Sequence, residues 1–121
     1  MAEHLSIGQV CARVGLDPDT LRYYERRGVV PTPARTGGGR RAYTEADLHL
    51  LDVLLNLKRT GMPLDRIAQF TRLVAADPAG VPERLALLRE HHRVVTEHLL
   101  AWQASLRLIE TKIRDYEQRN S

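Results

Sequence analysis

From Glu83 to Arg119 the chain contains neither glycine nor proline. A stretch of this length, with nothing to end or kink it, is predicted to be one long helix. With Leu85 at heptad position a, the a and d positions read Leu85, Leu88, His92, Val95, Leu99, Trp102, Leu106, Ile109, Ile113 and Tyr116. The steps alternate three and four residues and only His92 is polar, which describes a coiled-coil seam. At about 1.5 Å per residue such a helix is roughly 55 Å long. That is too long to fold back on the small head preceding it. Its apolar stripe requires another chain, so a homodimer is expected.

Composition narrows the function. At 121 residues there is room for one small domain and an appendage. No apolar run approaches the roughly 18 residues of a membrane span, and the N-terminus lacks a signal-peptide core. No membrane partner is expected. The lone cysteine, Cys11, cannot form an intrachain disulfide, which suits a cytoplasmic protein. Only 5% of residues are aromatic, so the core must rely on Leu, Val and Ile. The chain has no Gly-rich phosphate loop, no HExxH and no Ser/His/Asp set in recognisable context. Neither an enzyme nor a cofactor is expected. His91, His92 and His98 lie near Glu90 and Glu97, with His49 farther off. Imidazoles on such a helix are more often solvated surface than ligands, and no metal site is assigned.

The head carries the chemistry. Ser6 to Gln9 forms a capping box for a first helix with Ile7, Val10, Cys11 and Val14 on one face. Gly15-Leu16 makes a tight turn. Asp17 then caps a second helix, Pro18 suits its first position, and Gly28 ends it. That helix carries Arg22, Arg26 and Arg27 with Tyr23 and Tyr24 interleaved. Helix, short turn and basic helix make a helix-turn-helix, the second helix reading the major groove of double-stranded DNA. A Gly37-Gly38-Gly39 tip flanked by Arg35, Arg40 and Arg41 follows, and the hairpin from about Ala34 to Tyr43 is expected to form a wing along the adjacent backbone. Between Arg13 and Tyr43 seven arginines stand against three acids, a balance of +4 where the whole chain carries only +3. The excess charge is concentrated as an electrostatic footprint on nucleic acid should be. Thr44 to Asp47 is a second capping box, opening a helix to about Thr60 with Leu48, Leu51, Val53, Leu54, Leu55 and Leu57 over a wide arc. Gly61 stops it, Pro63 restarts a helix, and Asp77 to Pro82 is the candidate linker.

Thr20-Leu-Arg-Tyr-Tyr-Glu-Arg-Arg-Gly28, followed by Pro31, Arg35 and Arg41-Ala-Tyr43-Thr-Glu-Ala-Asp-Leu48, resembles the MerR family of bacterial regulators. Lys58-Arg-Thr-Gly61-Met-Pro63-Leu64 extends the resemblance, which covers roughly residues 5 to 76 by motif and the long helix by pattern. The resemblance implies that Arg22, Tyr23 and Tyr24 contact DNA from the recognition helix and Arg41 and Tyr43 from the wing. It also implies that Lys58 holds a phosphate near the operator centre. Thr20, at the helix start, is placed to meet a base or phosphate. An antiparallel dimer is implied too. The seam supplies a register in which every a faces a d: Leu85 with Tyr116, Leu88 with Ile113, His92 with Ile109, Val95 with Leu106 and Leu99 with Trp102. His92 can fix that register at some cost in stability.

The cysteines of the family's metal-sensing and iron–sulfur branches are missing from these positions, and no large C-terminal domain like that of its drug-binding members is expected. The text is most similar to short members that respond to aldehydes or nitrosative stress, seen here in Leu87-Leu88-Arg-Glu-His91-His-Arg-Val94. Asn56, however, stands where those members carry a reactive cysteine, and Cys11 lies on the apolar face of the first helix. Any effector is therefore expected to be a small apolar or amphipathic molecule beside Phe70, Leu73, Trp102 and Tyr116.

The expected architecture is mainly α. Residues 1–76 form a winged helix-turn-helix domain with an accessory helical hairpin, 77–82 a linker, and 83–119 the dimerisation helix. The expected function is a transcriptional regulator that binds a palindromic promoter operator as a homodimer and distorts the DNA for RNA polymerase. The alternative is an architectural or recombination-associated winged-helix protein without a transcriptional role. A coiled-coil module with an incidental basic head, lacking sequence-specific binding, is a further rival.

Overall fold

The computed structural model describes residues 4–121. Among them the chain forms five helices: α1 (Ile7–Val14), α2 (Pro18–Arg26), α3 (Glu45–Arg59), α4 (Leu64–Ala75) and α5 (Val81–Arg119). Each of the first three begins on a side-chain cap. Ser6 Oγ accepts from the Gln9 amide at 3.2 Å while Gln9 Oε1 accepts from the Ser6 amide at 2.8 Å. Thr44 and Asp47 repeat the arrangement at 3.1 and 2.9 Å. Such reciprocal pairs satisfy two of the amides that a helix start leaves orphaned.

The stops are equally local. Gly28 takes φ +72°, and two amides fold back onto the end of α2: Gly28 onto the Glu25 carbonyl at 3.1 Å and Val29 onto that of Tyr24 at 2.9 Å. Gly61, at φ +98°, ends α3 the same way, with Met62 bonded to the Leu57 carbonyl at 3.0 Å. Both motifs turn the following residue, Val29 or Met62, into the core, where each is buried.

The chain separates into two compact units, the residues up to Arg84 and Leu85–Ser121. In the first, α1 packs on α2 and α3, and α3 packs on α4. Val10, Leu21, Leu54 and Ile67 are almost completely buried where these helices meet. Of the apolar residues of α3, Leu48, Leu51, Leu54 and Leu57 face the core while Val53 and Leu55 are half-buried. Thr71 of α4 is buried as well, its hydroxyl 2.6 Å from the Val29 carbonyl and 3.0 Å from that of Ile67. It ties α4 to the segment leaving α2.

The start of α5 differs from the expected one. The helix begins at Val81, so the turn after α4 is shorter than the 77–82 linker, and Pro82 sits in the first helical turn. Proline is tolerated there because its missing N–H would have had no intrahelical partner. Gly80 is pressed against the end of α4, where a Cβ would lie 2.1 Å from the Leu73 carbonyl oxygen. Arg84 pairs with Asp77 across this turn.

The second unit is the remainder of α5, a 39-residue helix in all. Of the residues expected to form a seam, Leu99, Trp102, Leu106, Ile109, Ile113 and Tyr116 are each more than half exposed in the single chain. None of the described helices is long and apolar enough to cross a membrane.

Candidate nucleic-acid interface

The reading helix begins at Asp17, whose carboxylate accepts from the Thr20 amide at 2.8 Å and the Thr20 hydroxyl at 3.1 Å. The amide bond first, then the hydroxyl, lowers the Asp17 pKa below the ordinary aspartate value. Thr20 therefore lends its hydroxyl proton to the cap and presents an acceptor to its surroundings. Arg22 reaches back to the exposed Asp19 at 3.0 Å. An exposed pair of this kind is weak, so the guanidinium is free to exchange it for a base or phosphate. Tyr23 stands 40% exposed. Arg27 donates to its hydroxyl at 3.2 Å and lies over its ring at 5.8 Å. Arg26 completes the exposed surface of the helix.

Tyr24 departs from the expected cationic face. Leu21, Tyr24 and Glu25 lie three and four residues apart, hence on one side of the helix, and that side faces inward. Tyr24 is only 7% exposed, and Lys58 of α3 sits with Nζ 6.0 Å from its ring centroid. The lysine is thereby held beside α2, as a cation on an aromatic face.

Glu25 reads in the sequence as an acid among arginines and as part of the Thr20–Gly28 string, with no role of its own. Its side chain is 4% exposed. One carboxylate oxygen accepts from Arg41 Nε at 2.9 Å and the other from the Tyr43 hydroxyl at 2.7 Å. Tyr43 is itself only 2% exposed. Its backbone forms an antiparallel bridge with Leu5, ahead of α1. Burial first, then the bond to Glu25, pushes its phenol far above the ordinary tyrosine value. The expectation of Tyr43 as a DNA-facing wing residue is thus corrected. The sequence carries it back into the core at the foot of the wing, and its hydroxyl is already engaged.

The wing is minimal. Arg35 and Arg41 form a single antiparallel bridge. The turn between them closes through the Thr36 amide on the Arg40 carbonyl at 2.8 Å and the Gly39 amide on that of Thr36 at 2.9 Å. Gly39, at φ +81°, takes a conformation few other residues adopt. Arg35 spans the tip to the Gly39 carbonyl at 2.7 Å, and Arg40 is exposed. A groove of about 370 Å³ lies between the wing and the start of α1, lined by Ser6, Ile7, Arg35, Gly39, Arg40 and Arg41. Its closeness to α1 was not legible, because it depends on the Leu5–Tyr43 bridge.

Two residues considered for sensing, Cys11 and Phe70, are buried. Cys11 is buried, and burial raises its thiol pKa above the ordinary value. Phe70 is 4% exposed, already filling the head core rather than offering a surface to an effector. Among the described residues no three His, Cys, Asp or Glu side chains form a group able to hold a metal ion.

Comparison with known proteins places this geometry. Residues 5–73 match the MerR HTH family regulatory protein family. An uncharacterized HTH-type transcriptional regulator of Haemophilus influenzae is 31% identical, the match covering 88% of this chain and 78% of the relative. YfmP, an HTH-type transcriptional regulator of Bacillus subtilis, is also 31% identical, with 95% and 84% covered. YyaN of the same organism is 42% identical over 55% of this chain, which spans about half the length of that relative (49%). Among solved structures, HiNmlR, described as a MerR family regulator lacking the sensor domain and bound to promoter DNA, matches with a TM-score of 0.85. It is 29% identical, with 95% of this chain and 91% of that one covered. A MerR family regulator from Bacillus thuringiensis gives a TM-score of 0.82 at 30% identity, covering 93% and 98%. The chain belongs to the MerR family of helix-turn-helix regulatory proteins.

Proposed function

We propose that the protein regulates transcription in the cytoplasm by binding a palindromic promoter operator as a homodimer and distorting it. One observation carries this reading: a reading helix with Arg22, Tyr23, Arg26 and Arg27 toward solvent is joined through Glu25 to an arginine-tipped wing. Arg22 pairs with a guanine edge or a phosphate, and Tyr23 and Lys58 meet phosphates. Tyr24 backs Lys58, and Thr20 supports the helix start through the Asp17 cap. Arg35, Arg40 and the outer edge of Arg41 follow the flanking backbone. Residues 1–76 form the DNA-reading part and 83–119 the dimerisation helix, paired antiparallel through the a and d seam. Phosphate contacts from two heads supply the energy that offsets DNA deformation. The similarity to HiNmlR, solved on promoter DNA, supports the same mode here. RNA polymerase then engages the reshaped promoter, and a small apolar effector, where one acts, shifts that reshaping.

The test is footprinting and affinity measurement on the DNA flanking the protein's own gene. If a dimer engages about eight phosphates, log K should fall with a slope of about −7 against log salt. Arg22→Ala should cost roughly 1–3 kcal/mol on the operator and relax its specificity. Lys58→Ala should weaken all sequences alike and flatten the salt slope by about one unit per site. Unchanged affinity in both variants removes the assignment of α2 as the reading helix.

A further inference from the structure

The polar contacts between α2 and the wing run through one carboxylate. The bonds closing the wing tip, Thr36 to Arg40, Gly39 to Thr36 and Arg35 to Gly39, join the hairpin only to itself. The Leu5–Tyr43 bridge anchors its returning arm to the segment before α1. Glu25, lying between Tyr24 and Arg26 on the reading helix, receives both Arg41 and Tyr43 from that arm. The carboxylate is buried, so these charge-assisted bonds are screened little by solvent and hold a defined geometry. Arg41 is gripped by Nε, and its side chain remains 22% exposed. The bond to Glu25 uses Nε and leaves the two terminal nitrogens outside it.

We infer that Glu25 is the positioning residue that sets the wing against the reading helix, and so decides which flanking phosphates are contacted when α2 is seated in the major groove. This rests on the DNA-binding function proposed above. Glu25 itself does not touch DNA. Without its carboxylate α2 still reads its bases, but the wing, held by a single bridge and the Leu5 contact, loses its fixed offset. Operator affinity then falls through lost flanking contacts, while discrimination among bases in the centre of each half-site persists.

The experiment uses the full chain and a wild-type operator fragment, with two probes side by side. Guanine methylation protection reports the major groove, and hydroxyl-radical cleavage reports the flanking backbone. Glu25→Ala is expected to keep guanine protection, lose flanking protection and bind about tenfold more weakly, within the range of coupling between neighbouring groups. Arg41→Ala should lose the same flanking protection. The double variant should be no weaker than the poorer single, since both remove one linkage. Glu25→Gln should recover most of the flanking protection, because its amide can accept from Arg41 and donate to the Tyr43 hydroxyl. Should Glu25→Ala fail to fold by thermal denaturation, Arg41→Ala and Glu25→Gln carry the comparison. Flanking protection that survives in Arg41→Ala, parallel loss of both protections, or additive single effects overturns the positioning role alone. A wild-type chain that protects no DNA overturns the proposed function and this inference with it.

Discussion

Leu99 is the position at which the dimer model is most exposed to refutation. In the single chain it is 56% exposed, and its proposed partner Trp102 is 80% exposed. Burying a whole leucine side chain is worth about 1.5–3 kcal/mol, so covering the open half contributes about 1–1.5 kcal/mol per copy. In the antiparallel register the two-fold axis runs between Leu99 and Trp102, and each dimer contains the contact twice. Leu99→Ala should therefore remove about 2–3 kcal/mol from association. That raises the dimer dissociation constant roughly 30- to 140-fold. Leu99→Glu is more severe. Two carboxylates would have to be desolvated near the centre of the seam, at several kcal/mol each, and the dimer should be lost altogether. Operator binding should fall with it, because one head on one half-site forfeits the second set of phosphate contacts. Sedimentation velocity on the DNA-free chain separates the outcomes. A monomeric wild type at micromolar concentration, or a Leu99→Glu variant that still sediments as a dimer, refutes both the seam and its register.

Two other positions give independent checks. Cys11→Ser should leave DNA binding and any response to electrophiles unchanged, since the thiol is buried and its pKa raised. Native Cys11 should accordingly react slowly with a disulfide reagent and rapidly once the chain is unfolded, and prompt labelling of the native protein contradicts this. Gly80→Ala should destabilise the fold by about 1–3 kcal/mol in denaturant unfolding, because the added methyl collides with the end of α4. An unchanged midpoint would mean that the turn is not packed as described.

The helix ends were largely legible because their causes are local. Ser6, Asp17 and Thr44 cap through their own side chains, and Gly28 and Gly61 stop helices because the exit conformation favours glycine. The start of α5 is not legible because proline carries two meanings, breaker in a helix interior and natural occupant of a first turn. The sequence around Pro82 does not distinguish them. Nor could it show that Gly80 is required by the approach of α4, a contact between segments whose meeting depends on the whole head.

The interface was legible in its charges and illegible in its pairings. Arg22, Arg26, Arg27 and the wing arginines announce an affinity for phosphate by number and spacing alone. Tyrosine does not announce its side: Tyr23 stands in solvent, while Tyr24 beside it lies under Lys58 and Tyr43 closes the core. The acid in the middle of the basic helix reads, by composition, as a dilution of its charge. In the fold Glu25 is buried, and by accepting from Arg41 and Tyr43 it joins the foot of the wing to the reading helix. Three consecutive residues of α2 thus face different neighbours: Tyr23 meets Arg27, Tyr24 supports Lys58, and Glu25 holds Arg41 and Tyr43. Since successive helix positions point about 100° apart, one turn of α2 is enough to organise its own exposed face, the end of α3 and the wing. The reading helix is therefore also the part around which the rest of the DNA-binding surface is assembled.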